Sequence, residues 1–415
     1  AGYPTPVRKS FKCSKCGESY EDGNQFCDKC DLKETIANFS KWTSGNDQID
    51  EFIQTTQRTE KYDRYLEFIP SKRFTKITPL SINGFGKTYF AYWPDGRRWI
   101  QPSSNSLNLV DLEVLSRPKL VYSVKTRIQN SEVTLKSIGR NISETFLNKV
   151  KLFREIFKKD NSSRACPFYG FTKNPISGEY FLVTQFSRNG SLRTQLSMGK
   201  PTPWSLRISV LHQAALYLNL LHKSPLVHGN LHPGNILIDD LFTYIDDPAS
   251  LIPSETGTLF GVWQYVAPEI LQGSPKSKES DIYAFGIVMW ELAMWKMPFA
   301  EYAKEYNINI GRKIIDGWRP PIDYIIPKRY SRLMQKCWYT NPEKRPSAKQ
   351  LVDEVGSWDF TLFTPGGGPK DNDAYEEFKK ADEDLKLFRH TPFAGYTNGE
   401  IVFTSQLIPY ISTEE

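Results

Sequence analysis

Two sets of residues in this 415-residue chain could do chemistry. The first is a pair of knuckles, Cys13-x-x-Cys16 and Cys27-x-x-Cys30, with Gly17 and Gly23 in the connection. Four thiolates at this spacing can close tetrahedrally around one Zn²⁺. So small a segment has almost no apolar core of its own, and a bound metal would supply most of its folding free energy. Two Cys pairs without metal, or a disulfide pair, is the competing reading; the near zinc-ribbon spacing favours the metal. Cys166 and Cys337 stand apart in apolar surroundings. The second set comprises Val133-Thr134-Leu135-Lys136, His228-Gly229-Asn230-Leu231-His232-Pro233-Gly234-Asn235 and Ile245-Asp246-Asp247-Pro248-Ala249. It carries a cation, amides and carboxylates in a fixed order. The amide of Asn230 cannot take up a proton near pH 7, whereas a carboxylate could.

These groups need elements to hold them. Residues 1–10 are expected to be disordered, 11–32 to form the knuckle and 33–73 a helical linker, with Phe39, Trp42, Ile49, Phe52 and Ile53 among polar residues. From Phe74 to Val183, apolar alternation with turn signals at Gly84-Phe85-Gly86 and Pro94-Asp95-Gly96 predicts an antiparallel sheet, which puts Lys136 on a strand. A helix is expected over Ser143–Phe157. After Gly190 the apolar spacing becomes helical at Trp204–His222, Ser280–Met297 and Tyr330–Trp338. The predicted fold is α+β: a main domain over 74–358, with a β-rich lobe at 74–186 and an α-rich lobe at 187–358. Residues 359–415 read as a linker, a charged helix over Asp373–Phe388 and a tail. Nothing repeats at a fixed period.

Composition narrows the partners. Lys+Arg 53 against Asp+Glu 47 is close to balance, and the basic residues are scattered, so a nucleic-acid surface has no support. The longest apolar run, Ile282 to Trp290, is closed by Glu291 and falls far short of the ~20 residues of a membrane span. No apolar signal core opens the chain, so a cytoplasmic protein, or a nuclear one, is expected, with other proteins as partners.

The order of the short segments resembles the protein kinase superfamily. Val133-Thr134-Leu135-Lys136 resembles the strand whose Lys neutralises nucleotide phosphates, and the 228–235 segment resembles the catalytic loop, with Asn235 in a Mg²⁺-holding position. Asp247 stands in the other metal position, with Asp246 the competing assignment. The resemblance also places Gly86 in the phosphate-covering loop, Thr184 at the gatekeeper position, and Ala91 with Leu237 around adenine. Glu269, in Ala267-Pro268-Glu269, and Arg345, in Pro342-Glu343-Lys344-Arg345-Pro346, resemble the family's buried ion pair that anchors the substrate-side segment; Asp281 resembles the residue that holds the catalytic loop. Trp42-Thr43-Ser44-Gly45-Asn46-Asp47 and Ile49-Asp50-Glu51-Phe52-Ile53-Gln54, between knuckle and kinase-like domain, are similar to the expanded tyrosine-kinase-like proteins of arbuscular mycorrhizal fungi. Membership would imply ATP, Mg²⁺ and protein substrates.

Five positions depart from that pattern. Asn230 replaces the catalytic base, Lys149 the helix Glu that pairs with the strand Lys, and Ala249 a hinge glycine, while Ser81 and Asn83 replace two glycines of the phosphate cover. The leading expectation is therefore a pseudokinase that binds partners, with ATP and Mg²⁺ weakly held. The alternatives are a weakly active Ser/Thr or Tyr kinase, and a zinc-ribbon adaptor whose kinase-like part is a passive platform. Fifty positions separate Gly86 from Lys136; this insert reads as a longer hairpin or a surface loop.

Overall fold

The computed structural model describes residues 10–21, 27–83, 86–103, 122–158, 165–199, 202–239, 243–246, 258–299, 307–323, 325–363, 372–387 and 406–411. They fall into two compact units, one dominated by a β-sheet and the other by helices.

The first unit opens with a small hairpin, β1 (Ser10–Lys12) and β2 (Ser19–Glu21), and two helices, α1 (Asp28–Ala37) and α2 (Asp47–Thr59). α2 starts where its sequence demands. Asn46 caps it by accepting from the Ile49 amide at 3.0 Å, and the Asp50 carboxylate gathers the Ser44 amide at 2.8 Å and the Thr43 hydroxyl at 2.5 Å. Its apolar stripe, Ile49, Phe52 and Ile53, is buried, with Phe52 edge-on to Phe171 at 6.1 Å. The chain then contributes β3 (Glu67–Phe68), β4 (Thr75–Asn83), β5 (Gly86–Trp93), β6 (Arg97–Ser103), β7 (Tyr122–Ile128), β8 (Ser131–Gly139), α3 (Glu144–Lys158), β9 (Phe168–Lys173) and β10 (Tyr180–Gln185).

Six strands form one sheet in the order β3-β9-β10-β8-β5-β4. The sheet is not wholly antiparallel: β3, from the stretch read as linker, adds in parallel to β9 with Glu67 opposite Gly170. The Glu67 carbonyl oxygen would lie 1.9 Å from a Cβ built on Gly170, whose φ is +151°, so the close approach requires glycine there. The insert forms a separate two-stranded ribbon of β6 and β7, in which Ser103 and Tyr122 are direct partners. The ribbon is tied down by charge. Arg98 and Arg127 both reach Glu67 at 2.7 Å, and Lys125 reaches Asp31 of α1 at 2.6 Å. Burial pulls the Arg98 guanidinium below its ordinary value.

In the second unit come α4 (Leu192–Ser197), α5 (Trp204–His222), β11 (Ile236–Ile238), β12 (Thr243–Ile245), β13 (Thr258–Gly261), α6 (Pro268–Leu271), α7 (Lys278–Met294), α8 (Asn307–Ile315), α9 (Lys328–Cys337), α10 (Ala348–Phe363), α11 (Asn372–Leu387) and β14 (Gln406–Pro409). α7 is apolar on all sides and buried along nearly its whole length, which makes it the unit's central rod. The second half of α3 packs on α5, with Phe157 stacked on Tyr217 at 4.9 Å. The charged helix α11 also docks on α5 and α9: Phe378 lies 5.6 Å from Trp204 and Asp382 accepts from the Trp204 amide at 2.9 Å, while Arg329 of α9 pairs with Glu377 at 2.7 Å. No helix among the described residues is long and apolar enough to cross a membrane.

Candidate functional site

In the first unit, Lys136 sits on β8 between two partners, Thr88 of β5 and Leu182 of β10. Opposed residues share a face and successive residues alternate. Thr88, Thr134, Lys136 and Thr184 therefore line one side of the sheet. Thr184 is buried, faces Thr134, and its hydroxyl has no partner among the described residues.

Ala91 lies on the other side. It opposes Val133 and belongs to the core cluster with Trp93, Leu135 and Val183. The expectation that Ala91 flanks adenine is thereby corrected: a one-residue step along a strand reverses its face, and Thr88 and Thr134 occupy the Lys136 side instead. β5 begins at Gly86, while Gly84 and Phe85 lie outside the described residues. Lys149 is half-buried on α3.

In the second unit the segment from His228 to Asn235 is held from beneath by one carboxylate. Asp281, buried near the start of α7, accepts from the amides of His228 at 2.8 Å and Gly229 at 2.7 Å, and lies 2.9 Å from His222 Nε2. The Asn235 side chain closes the loop by donating to the Asn230 carbonyl at 2.9 Å. Asn230 itself is buried. Leu237 is on β11 opposite Tyr244, and Asp246 is buried just past β12, its amide bonded to the Asn235 carbonyl at 2.8 Å. Asp247, Pro248 and Ala249 lie outside the described residues.

Arg345 and Glu269 form a two-pronged ion pair at 2.6 and 2.8 Å. Arg345 also donates to the carbonyls of Tyr339 at 2.9 Å and Glu279 at 3.0 Å. A further buried network escaped sequence reading: the Tyr265 hydroxyl donates to Glu291 and accepts from Arg193 at 2.7 Å. Burial pushes the Tyr265 phenol well above its ordinary value, and burial, with Arg193 and His228 nearby, holds His232 well below that of imidazole. The available signal was Glu291, a charge ending an otherwise apolar run.

The four knuckle cysteines converge. Cys13 and Cys30 sulfurs are 3.7 Å apart, Cys16 and Cys27 3.6 Å, and all four lie within 4.8 Å of one another. Metal–sulfur bonds of ~2.3 Å in a tetrahedron put sulfurs about 3.8 Å apart, so the cluster fits a metal ion. The Lys15 amide, bonded to the Cys13 sulfur at 3.4 Å, is foremost in drawing that thiol down to about 7, while hydrogen bonding with Cys16 leads in pushing Cys30 up to about 12. One thiolate among four thiols makes the next harder to form, a conflict that a divalent cation removes.

Comparison with known proteins adds an independent line. The family model described as protein tyrosine and serine/threonine kinase matches residues 119–355. A putative serine/threonine-protein kinase/receptor of Acanthamoeba polyphaga mimivirus is 36% identical over 177 residues, covering 41% of this chain and 10% of the relative. Receptor-interacting serine/threonine-protein kinase 4 of Mus musculus is 31% identical over 209 residues, covering 46% and 26% respectively. Cyclic GMP-binding protein C of Dictyostelium discoideum is 26% identical over 385 residues, covering 85% of this chain and 14% of that protein. The chain thus spans between a tenth and about a quarter of the length of these curated relatives.

Proposed function

The chain belongs to the protein tyrosine and serine/threonine kinase family, and from that premise we propose that it is a pseudokinase, a kinase-fold scaffold or allosteric regulator of protein partners in the cytoplasm or nucleus. The observation that carries this reading is Asn230: a buried amide in a loop tied by Asp281 and Asn235, at the position where the family's chemistry calls for a carboxylate. Lys149 adds to it, because a second cation cannot pair with Lys136 as an acid would. The segments at Trp42–Asp47 and Ile49–Gln54 support placement among the expanded fungal tyrosine-kinase-like proteins.

Nucleotide binding is a separate part of the proposal. The first unit offers Lys136 for phosphate, Gly86 at the turn into β5, and the Thr184 hydroxyl; the second offers Leu237 for the base, with Asn235 and Asp247 for Mg²⁺. Bound Mg·ATP would supply the transferable phosphoryl group. Calorimetric titration with ATP, with and without Mg²⁺, is expected to show metal-dependent binding. Lys136→Met should weaken it by tenfold or more, as for a charge-assisted contact of ~1.5–3 kcal/mol, and Asp247→Asn should abolish the metal dependence. Absence of binding at millimolar ATP removes the nucleotide from the proposal. Transfer by the unaltered chain at the ~1–100 s⁻¹ typical of kinases overturns the pseudokinase reading.

The four-cysteine cluster, in the same reading, holds Zn²⁺ as a structural ion. The purified chain is expected to contain one zinc, and Cys16→Ser or chelation should release it. Because structural zinc contributes ~10–16 kcal/mol to folding of small fingers, residues 10–37 should then become protease-sensitive while the sheet stays intact. A zinc-free chain with the same resistance to proteolysis would refute the assignment.

A further inference from the structure

The stretch read from sequence only as a tail contributes a strand, β14. β14 pairs antiparallel with β13, with Leu259 opposite Ile408 and Gly261 opposite Gln406. β13 is no arbitrary edge: it runs directly into the segment that Glu269 and Arg345 anchor, the segment the family resemblance puts on the substrate side. The pairing stays close to the catalytic loop. A Cβ built on Gly261 would lie 3.7 Å from Asn230 Oδ1 and 3.9 Å from Ile408 Cδ1, so the tail and the base-position amide border the same glycine.

The side chains of the tail are received individually. Ile408 is fully buried. Ile411 is buried too, its amide donating to the Leu271 carbonyl at 2.8 Å. Its Cδ1 lies 2.4 Å from where a Cβ on Gly311 would be, beside the Trp263 ring at 2.7 Å, so a bare glycine makes the notch that Ile411 fills. Tyr410, between them, is 40% exposed. Ile408, on the paired strand, and Ile411, two residues beyond its end, are thus both buried, the first beside a strand edge and the second with its amide held by the Leu271 carbonyl. That is how a sheet edge recognises an extended peptide: the main chain supplies affinity, and side-chain notches supply selectivity.

We propose that the β13 edge, with the notch at Gly311 and Trp263, is a peptide-docking site, and that residues 406–411 are its intramolecular occupant. The peptide taken up on release is extended and carries branched apolar residues at the spacing of Ile408 and Ile411. The inference rests on the partner-binding reading above and adds to it the class of partner and the segment that holds the site closed. A tethered segment competes at an effective concentration on the order of millimolar, so the closed site disfavours all but strong or abundant peptides.

The test uses the 415-residue chain and a fluorescently labelled synthetic peptide of residues 402–415, followed by anisotropy without nucleotide. The unaltered chain is expected to bind at least about tenfold more weakly than the Ile408→Asp/Ile411→Asp variant, because the competing tail is disabled in the variant. A peptide carrying the same two substitutions should bind neither. Equal binding by both chains, or none by a variant that keeps the unaltered melting temperature, overturns the proposal. Should the variant fail to fold, hydrogen exchange on the unaltered chain decides: slow exchange in 406–411 that speeds up with excess unlabelled peptide supports it, and exchange complete within seconds overturns it. ATP takes no part in these readouts, so they stand or fall apart from the nucleotide reading.

Discussion

Asn230→Asp is expected to raise phosphoryl transfer to a protein acceptor by about 10²–10⁴-fold, the contribution of a positioned general base. The exchange is nearly isosteric, and three of the contacts that shape the loop run through backbone atoms that it does not alter. Asp281 grips the amides of His228 and Gly229, and Asn235 donates to the Asn230 carbonyl. These backbone anchors are kept by the substitution, which changes the chemistry at the base position. Transfer should be followed with Mg·ATP in the unaltered chain, in Asn230→Asp, and in Asn230→Asp with Lys149→Glu. A gain in the single variant identifies the missing carboxylate as the block. An unchanged rate would sink that idea and shift the weight to Lys149.

Arg345→Met is expected to cost about 3–5 kcal/mol of stability, as for the breaking of a buried ion pair. The guanidinium is fully enclosed and satisfies Glu269 twice, while also bonding the carbonyls of Tyr339 and Glu279. Removing it leaves the partly buried Glu269 carboxylate without its cation. Arg345→Lys should recover only part of the loss, because a point charge cannot reproduce the planar fork. Glu269→Gln combined with Arg345→Met should also recover part, since no lone carboxylate then remains. Denaturant unfolding of the four proteins is the check, and a loss below about 1 kcal/mol for Arg345→Met contradicts the argument.

The broad β-then-α order was legible because it rests on long periodic runs. The helix expected over Ser143–Phe157 is found at Glu144–Lys158, and that expected over Trp204–His222 has those same bounds. The convergence of Cys13, Cys16, Cys27 and Cys30 was legible because it is written in the thiol spacing. What escaped is short or set by tertiary partners. β3 has two residues and β14 four, too few for any period, and each is a strand only because another strand lies beside it. Ala91 was misassigned because the resemblance fixes approximate position, whereas the face depends on register to the single residue. The Arg193–Tyr265–Glu291 network joins residues far apart in sequence, and only the unexpected charge of Glu291 hinted at it.

Gly170 offers a way of reading other sequences. Since the Glu67 carbonyl occupies the space where a side chain would start, any homologue with a Cβ at this position must do without the added parallel strand or displace it. A single letter thus becomes a marker of ancestry: glycine there is compatible with an N-terminal extension woven into the sheet, and any other residue signals a lineage whose extension, if it has one, attaches elsewhere. Surveying that position across related genes would date the acquisition of the extension without solving another structure.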